Sequence, residues 1–258
     1  METALINGTT IAFKDSGGTG PVVILSHGFL MDHSMFDAQV EALRTQYRVI
    51  TWDERGFGGT QATGEFTYWD SARDVLGLMD HLSIDTAVVG GMSQGGFLSL
   101  RTALLAPERV RALILIDTQS GTEAPDTIEP YNQLHAAWLE HGAVAVQDVI
   151  ASIILGPGSW DEWYAKWDVL KPEQFSLAFH CLMHRDDITE RLGEIKCPAL
   201  IIHGTDDVAI PMEKAVVLRD GLGGVTSLVP IDGGPHAANM THPEPVNEAI
   251  VRFLGTLS

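Results

Sequence analysis

Short apolar runs recur along this chain and are separated by longer segments in which apolar residues recur at helical spacing. The runs contain few polar residues, which is typical of parallel strands that other elements cover on both faces. Between the runs, apolar positions three and four residues apart indicate helices with one buried side. The predicted strands are residues 22–25, 48–52, 87–90, 112–116, 199–202 and 227–231, and the clearest predicted helices are residues 36–43, 71–82 and 94–106.

The amino-terminal segment has a different pattern, which predicts an antiparallel hairpin. Residues 4–13 contain the dipeptide Asn7-Gly8, which favours a two-residue hairpin turn. The strands that follow alternate with helices, and such a repeat builds a parallel sheet through right-handed crossovers. We therefore predict an α/β fold, a doubly wound and mostly parallel sheet that begins with a hairpin.

The alternation of strands and helices is interrupted once. Between residues 121 and 195 no strand-like run occurs, and helical stretches alternate with loop signals such as Gly156-Pro157-Gly158. A connection of this length is usually functional. We predict that residues 1–120 and 196–258 form the core, and that residues 121–195 form a helical cap inserted into it.

The composition narrows the range of partners. The 258 residues include 34 acidic and 16 basic side chains, so the formal net charge is −18. A field of this sign repels phosphate backbones and anionic lipids, so we expect no nucleic-acid or membrane partner. The two cysteines, Cys181 and Cys197, provide neither a disulfide framework nor a thiolate metal site. Because neither a signal peptide nor an apolar run of membrane-spanning length is visible, we expect a cytoplasmic location, with monomer and homodimer both open.

The strongest candidate for a catalytic group is the serine in residues 91–95, Gly-Met-Ser-Gln-Gly. This segment follows a predicted strand directly and begins a predicted helix. A serine at such a turn is held in a strained conformation, with its hydroxyl at the sheet edge where α/β folds bind ligands. The amino terminus of the helix favours the negative charge that develops there. We predict that Ser93 is a nucleophile rather than a plain helix cap.

A serine hydroxyl is a weak nucleophile at neutral pH, so it needs a base and an acid that orients the base. Residues 199–211 are predicted to form a strand followed by an acidic loop that contains Asp206 and Asp207. Further along, a strand is followed by a glycine-rich loop that carries His236. The order serine, acid, histidine is the order used at such strand ends. We predict that His236 takes the Ser93 proton and later returns it to the leaving group.

These motifs resemble those of the α/β-hydrolase superfamily, in particular its capped serine esterases and lactonases. The resemblance spans nearly the whole chain, from residues 27–30 (His-Gly-Phe-Leu) to Asn247. The acid loop of the family, H-G-x-x-D-x-x-x-P, is similar to residues 203–211. This register implies that Asp207, and not its neighbour Asp206, is the acid of the triad.

The resemblance implies further roles for individual residues. The backbone amides of Phe29 and Gln94 are expected to form the oxyanion hole. Asp117 ends a predicted strand where some relatives have an alternative acid, but we interpret it as a polar residue that ends the strand. The chain departs from the family at Pro235, because the catalytic histidine usually follows a glycine directly. Proline fixes φ and has no amide donor, so this loop is expected to differ locally.

Aromatic residues in the predicted cap are candidates for contacts with substrate. The last three of four tryptophans are spaced so that they share one face of a helix. Such a stripe usually packs a cap onto a core, but large aromatics also form the walls of ligand pockets. The candidates for substrate binding are Trp138, Trp160, Trp163 and Trp167. His180 and His184 are one helical turn apart but lack a nearby third ligand, so we expect no metal site.

The resemblance implies a serine hydrolase that cleaves carboxylic esters or lactones through an acyl-enzyme on Ser93. We expect small to medium, largely apolar substrates, and no cofactor, because the triad and the oxyanion hole supply all the groups required. Dehalogenase and epoxide hydrolase relatives use an aspartate nucleophile, which argues against both activities here. A C–C bond hydrolase, a cofactor-free perhydrolase and a ligand-sensing receptor of the same fold remain alternatives.

Overall fold

A single eight-stranded sheet runs through the computed structural model, which describes residues 1–257. The strand order is β1-β2-β4-β3-β5-β6-β7-β8; the β1–β2 and β2–β4 pairs are antiparallel and the remaining pairs are parallel. The strands are β1 (Glu2–Ile6), β2 (Thr9–Asp15), β3 (Val22–Ser26), β4 (Arg48–Trp52), β5 (Ala87–Met92), β6 (Val110–Ile116), β7 (Ala199–Gly204) and β8 (Thr226–Ile231). The predicted fold class is confirmed.

Five of the six apolar runs of the sequence form the middle of this sheet, and the sixth forms its edge strand, β8. Every residue of β5 and β7 is buried, which is the burial expected of strands covered on both faces. The predicted hairpin turn is also present: Asn7 and Gly8 have φ values of 48° and 79°, as a tight two-residue loop between twisted strands requires.

Ten α-helices accompany the sheet within the described part of the chain. They are α1 (Asp37–Leu43), α2 (Tyr68–His81), α3 (Gln94–Leu105), α4 (Pro125–His141), α5 (Gln147–Ile154), α6 (Asp161–Asp168), α7 (Pro172–Met183), α8 (Met212–Gly221), α9 (Ala238–Thr241) and α10 (Pro243–Leu254). Helix α2 packs on α3, and α1 packs on α10. None of the helices in residues 1–257 combines the length and the apolar character that crossing a bilayer requires.

Four of these helices, α4 to α7, lie in the long connection between β6 and β7, where the sequence lacks strand-like runs. Side chains of α4, α5 and α7 line the cavity that contains Ser93, so this connection covers the carboxyl ends of the strands. The division into a core and a cap with boundaries at residues 121 and 195 stays a prediction.

Candidate active site

Ser93 lies at the sharp turn between β5 and α3. Its φ of 51° and ψ of −115° are values that a residue with a side chain rarely adopts. Gly91 and Gly95 make the turn possible, because a Cβ atom on either would collide with the carbonyl oxygen of Ser26 on the neighbouring strand. The spacing of the two glycines therefore follows from close backbone packing around the serine.

His236 and Asp207 are joined by a hydrogen bond at the carboxyl ends of β8 and β7. The His236 Nδ1 donates to Asp207 Oδ2 at 2.8 Å. The other carboxylate oxygen, Oδ1, accepts hydrogen bonds from the amides of Ala209 and Ile210. Burial by itself would raise the pKa of Asp207, but the charge of His236 and these hydrogen bonds hold it below its ordinary value. The pair is therefore an ionised carboxylate oriented towards an imidazole.

Ser93 and His236 line the same cavity, and both are largely buried. Among the hydrogen bonds of residues 1–257 none joins the Ser93 hydroxyl to the imidazole. Because Nδ1 faces Asp207, Nε2 is the ring nitrogen that remains for the serine. Hydrogen bonds of this kind often tighten only when substrate is bound.

The two neighbouring acids of the β7 loop have different surroundings. Asp207 is buried against His236, whereas Asp206 is exposed and accepts a hydrogen bond from the hydroxyl of Thr205. The backbone amide of Asp206 donates to the carbonyl of Gly234, which ties the acid loop to the histidine loop. Of the two acids, only Asp207 is hydrogen-bonded to the histidine.

The two amides predicted for the oxyanion hole belong to residues that flank the serine in space. Gln94 is the first residue of α3, so its amide has no partner within the helix. Phe29 lies in the loop after β3 and lines the same cavity as Ser93. Within residues 1–257 neither amide donates a hydrogen bond. The nearby His27 orders this loop, since one ring nitrogen contacts the Gly28 carbonyl at 2.7 Å and the other accepts from the Glu54 amide.

Asp117 has a larger role than the sequence indicates. It lies directly after β6 with a φ of 45°, and its carboxylate accepts hydrogen bonds from the amides of Gly204 and Ala238. Gly204 precedes the acid loop and Ala238 follows the histidine loop. Burial and the neighbouring Asp207 raise the pKa of Asp117. Asp117 thus connects the two loops that carry Asp207 and His236.

We expect Asp117→Ala to lower the free energy of unfolding by roughly 2 to 6 kcal/mol, because two buried amides would lose their acceptor at about 1–3 kcal/mol each. Urea unfolding followed by circular dichroism measures this change. Asp232→Ala, an exposed aspartate of the histidine loop, is the matched control and should change stability by less than about 0.5 kcal/mol. Equal stability of the two variants would contradict the bridging role of Asp117.

The cavity next to Ser93 is mostly apolar. Its volume is about 100 Å³. Its walls include Met92, Leu134, Ile154 and Phe175. Besides Ser93 and His236, three polar side chains line the cavity, and all three belong to the helical connection: Glu123, Tyr131 and His135. A site of this character suits a small, largely apolar ligand with one or two polar groups.

None of the four predicted substrate-binding tryptophans lines this cavity. Trp138, Trp163 and Trp167 are buried in the hydrophobic core, and the indole of Trp167 donates to the Leu30 carbonyl at 2.7 Å. Trp160 precedes α6, and its indole donates to the Gly156 carbonyl. Their stripe therefore serves packing, and the prediction of substrate contacts by Trp138, Trp160, Trp163 and Trp167 is not supported by their positions.

Two clusters of acids and histidines have the proximity that a metal site needs, namely Asp32, His33 and Asp53, and Asp117, His203 and Asp207. In both, the side chains serve internal hydrogen bonds. Asp53 accepts from the amide and the ring of His33, and Asp207 accepts from His236. The rings of His180 and His184 stack on each other with centroids 4.0 Å apart. We interpret these hydrogen bonds as contacts that order loops, and the stacked histidines as a contact at the end of helix α7.

Comparison with known proteins identifies the family. A family model described as alpha/beta hydrolase fold matches residues 21–142. A protein of Rhizobium rhizogenes that carries the name carbamate hydrolase RutD is 32% identical over 250 residues, which cover 90% of this chain and 92% of that protein. The chain belongs to the α/β-hydrolase superfamily.

Other relatives have different names. A Synechocystis protein named as a non-heme chloroperoxidase is 29% identical over 95% of this chain and 94% of its own length. The structure of a thermophilic esterase from Thermogutta terrifontis is 29% identical, covers 99% of this chain and 97% of that chain, and has a TM-score of 0.88. An enol-lactonase from Burkholderia xenovorans is 26% identical, with 98% and 100% coverage and a TM-score of 0.89.

Proposed function

We propose that this protein is a serine hydrolase that cleaves carboxylic esters or lactones of small to medium, largely apolar substrates. The observation that carries the proposal is the hydrogen bond between His236 and Asp207 beside a cavity that also contains the strained Ser93. The similarity to an esterase and an enol-lactonase structure supports the same chemistry.

In the first half of the reaction, the Ser93 hydroxyl oxygen attacks the carbonyl carbon of the substrate. His236 Nε2 takes the serine proton, and Asp207 stabilises the resulting imidazolium. The amides of Phe29 and Gln94 hold the negative oxygen of the tetrahedral intermediate. When the bond to the leaving alcohol breaks, His236 returns the proton to that oxygen, and an acyl group stays on Ser93.

In the second half, a water molecule attacks the acyl carbon while His236 takes its proton. The second tetrahedral intermediate releases the carboxylic acid, and the imidazole returns the proton to Ser93. Every proton is carried by the side chains of the chain itself, so the proposed cycle requires no cofactor.

A carbamate is the second candidate substrate, because the relative from Rhizobium rhizogenes and a further relative from Agrobacterium fabrum carry the name carbamate hydrolase. A carbamate carbonyl is less electrophilic than an ester carbonyl but reacts through the same acyl transfer. A panel of matched esters, lactones, carbamates and C–C cleavage substrates, compared by kcat/KM, tests the proposal. Ester or lactone turnover should exceed turnover of the other classes; a preference for carbamates or C–C substrates would overturn this assignment.

We expect kcat/KM for an ester to fall as the pH is lowered from about 8 to about 5, because a protonated imidazole cannot accept the serine proton. The pKa of Asp207 is lowered, so its carboxylate stays ionised over this range and its contribution to stability is lost only at more acidic pH. The pH profile is measured as initial rates with an ester that releases a phenol, at the wavelength where the phenol and its phenolate absorb equally. Thermal unfolding at each pH is the control, and a flat profile would contradict a histidine base.

A further inference from the structure

One corner of the cavity is polar, and the proposed catalytic cycle does not use it. Glu123, which precedes α4, and Tyr131, which lies within α4, both line the cavity that contains Ser93. Glu123 is paired with Arg185, whose Nη2 lies 2.9 Å from Glu123 Oε1. An ionised side chain is unusual in the wall of an otherwise apolar cavity, since its desolvation is costly without a partner.

The guanidinium of Arg185 is engaged in contacts within the protein, and Arg185 does not line the cavity. Its Nε donates to the Gly121 carbonyl and its Nη1 to the Leu182 carbonyl, and its side chain is 1% exposed. The guanidinium also lies over the ring of Phe97, with its central carbon 4.4 Å from the ring centroid. Of the two members of this ion pair, Glu123 lines the cavity and Arg185 does not.

Glu123 and Tyr131 keep capacity for further hydrogen bonds. The ion pair engages Oε1 of Glu123, and a carboxylate has acceptor sites on both oxygens. Within residues 1–257 no hydrogen bond involves the Tyr131 hydroxyl. Burial and the Glu123 carboxylate raise the pKa of Tyr131 to about 12, so its hydroxyl remains protonated at neutral pH. The other polar side chain of this wall, His135, already contacts Ser176 and stacks on Phe179.

We propose that Glu123 and Tyr131 form a subsite that binds a hydrogen-bond donor of the substrate, such as a hydroxyl, amide N–H or ammonium group, and that disfavours substrates carrying a carboxylate. This inference rests on the proposed hydrolysis at Ser93. A donor placed in this corner meets an ionised acceptor in a weakly solvated site, where such hydrogen bonds are strong. A substrate carboxylate would instead face Glu123, and the overall charge of −18 adds to that repulsion.

The test compares three 4-nitrophenyl esters of equal acyl length whose chains end in a methyl, a hydroxyl or a carboxylate group. The ratio of their kcat/KM values is measured for the wild-type chain, Glu123→Gln and Tyr131→Phe. Glutamine keeps an oxygen that can face the Arg185 guanidinium, and phenylalanine leaves the ion pair intact, so two independent variants report on the subsite. Glu140→Gln, which neutralises an exposed carboxylate of α4, is the control for the change in net charge.

We expect the hydroxyl-to-methyl ratio to fall about tenfold in Glu123→Gln and in Tyr131→Phe, as the loss of a hydrogen bond to a buried polar group predicts. The carboxylate-to-methyl ratio should rise about tenfold in Glu123→Gln. Both ratios should stay at the wild-type value in Glu140→Gln. The inference is overturned if both variants keep the wild-type ratios, or if the wild-type chain prefers the carboxylate ester.

Failure of the proposed hydrolysis is distinguishable from failure of the subsite. If all three esters react but the ratios do not respond, only the subsite is wrong. If no ester reacts, the proposed hydrolytic function is wrong, and the subsite is then tested by measuring binding affinities. Hydrolysis-resistant ketones with the same three chain ends, titrated calorimetrically into the same variants, should show the same order of affinities; equal affinities would overturn the subsite.

Discussion

Replacing Ser93 with alanine is expected to abolish ester turnover while the protein remains folded. The serine oxygen forms the covalent bond of the proposed acyl-enzyme, and water activated by His236 is a poor substitute because, unlike the serine oxygen, it is not held in place by the backbone. Removal of a nucleophile from such a triad lowers kcat by a factor on the order of 10⁶ in a well-studied serine protease. A loss of at least about 10³ is expected here, since the oxyanion hole retains some catalysis.

The change in kcat and a covalent label measure this effect together. A fluorophosphonate should add one adduct to the wild-type chain, detected by intact mass, and none to Ser93→Ala. The control is Ser152→Ala, an exposed serine of α5, which should keep both turnover and labelling. Circular dichroism checks the fold of both variants. Turnover by Ser93→Ala at a rate close to the wild-type rate would rule out the proposed nucleophile.

Asp207→Asn is expected to reduce kcat by a factor on the order of 10⁴, the loss seen for the equivalent change in a triad of this type. An asparagine amide can present its NH₂ group to His236 Nδ1, which stabilises the tautomer with its proton on Nε2. That tautomer cannot accept the Ser93 proton. Asp206→Asn alters an exposed side chain that does not contact the histidine, so its kcat should stay within about twofold of the wild-type value.

The two asparagine variants form a matched pair, since they differ by one position in the same loop. Asp206→Asn should keep near-native thermal unfolding. Asp207→Asn should remain folded but be less stable, because it loses the ionised carboxylate that His236 and two backbone amides stabilise. Steady-state kinetics with one ester provides the comparison. A larger loss in Asp206→Asn than in Asp207→Asn would transfer the acid role to Asp206 and would contradict the geometry around His236.

The central strands were predictable because each of them is a short apolar run whose burial on both faces is visible in the sequence, and the first two strands because of the Asn7-Gly8 turn between them. The residues at which the strands end were less predictable. Strand β5 continues to Met92 and β7 continues through His203 to Gly204, since residues that are not aliphatic are buried there as well. Helix α2 begins at Tyr68, earlier than predicted, because Thr67 and Asp70 form a capping box.

The Gly-x-Ser-x-Gly turn and the Ser, Asp, His order were visible in the sequence, because a strained turn and a loop after a strand depend on neighbouring residues. The tertiary structure alone decided which contacts form between distant parts of the chain. Asp117 accepts a hydrogen bond from an amide 121 positions away, and Glu123 pairs with Arg185. The buried tryptophans of the helical connection pack in the core and do not line the cavity. A one-dimensional pattern of apolar residues indicates which side chains are buried, but their partners are set by how the loops and helices pack in three dimensions.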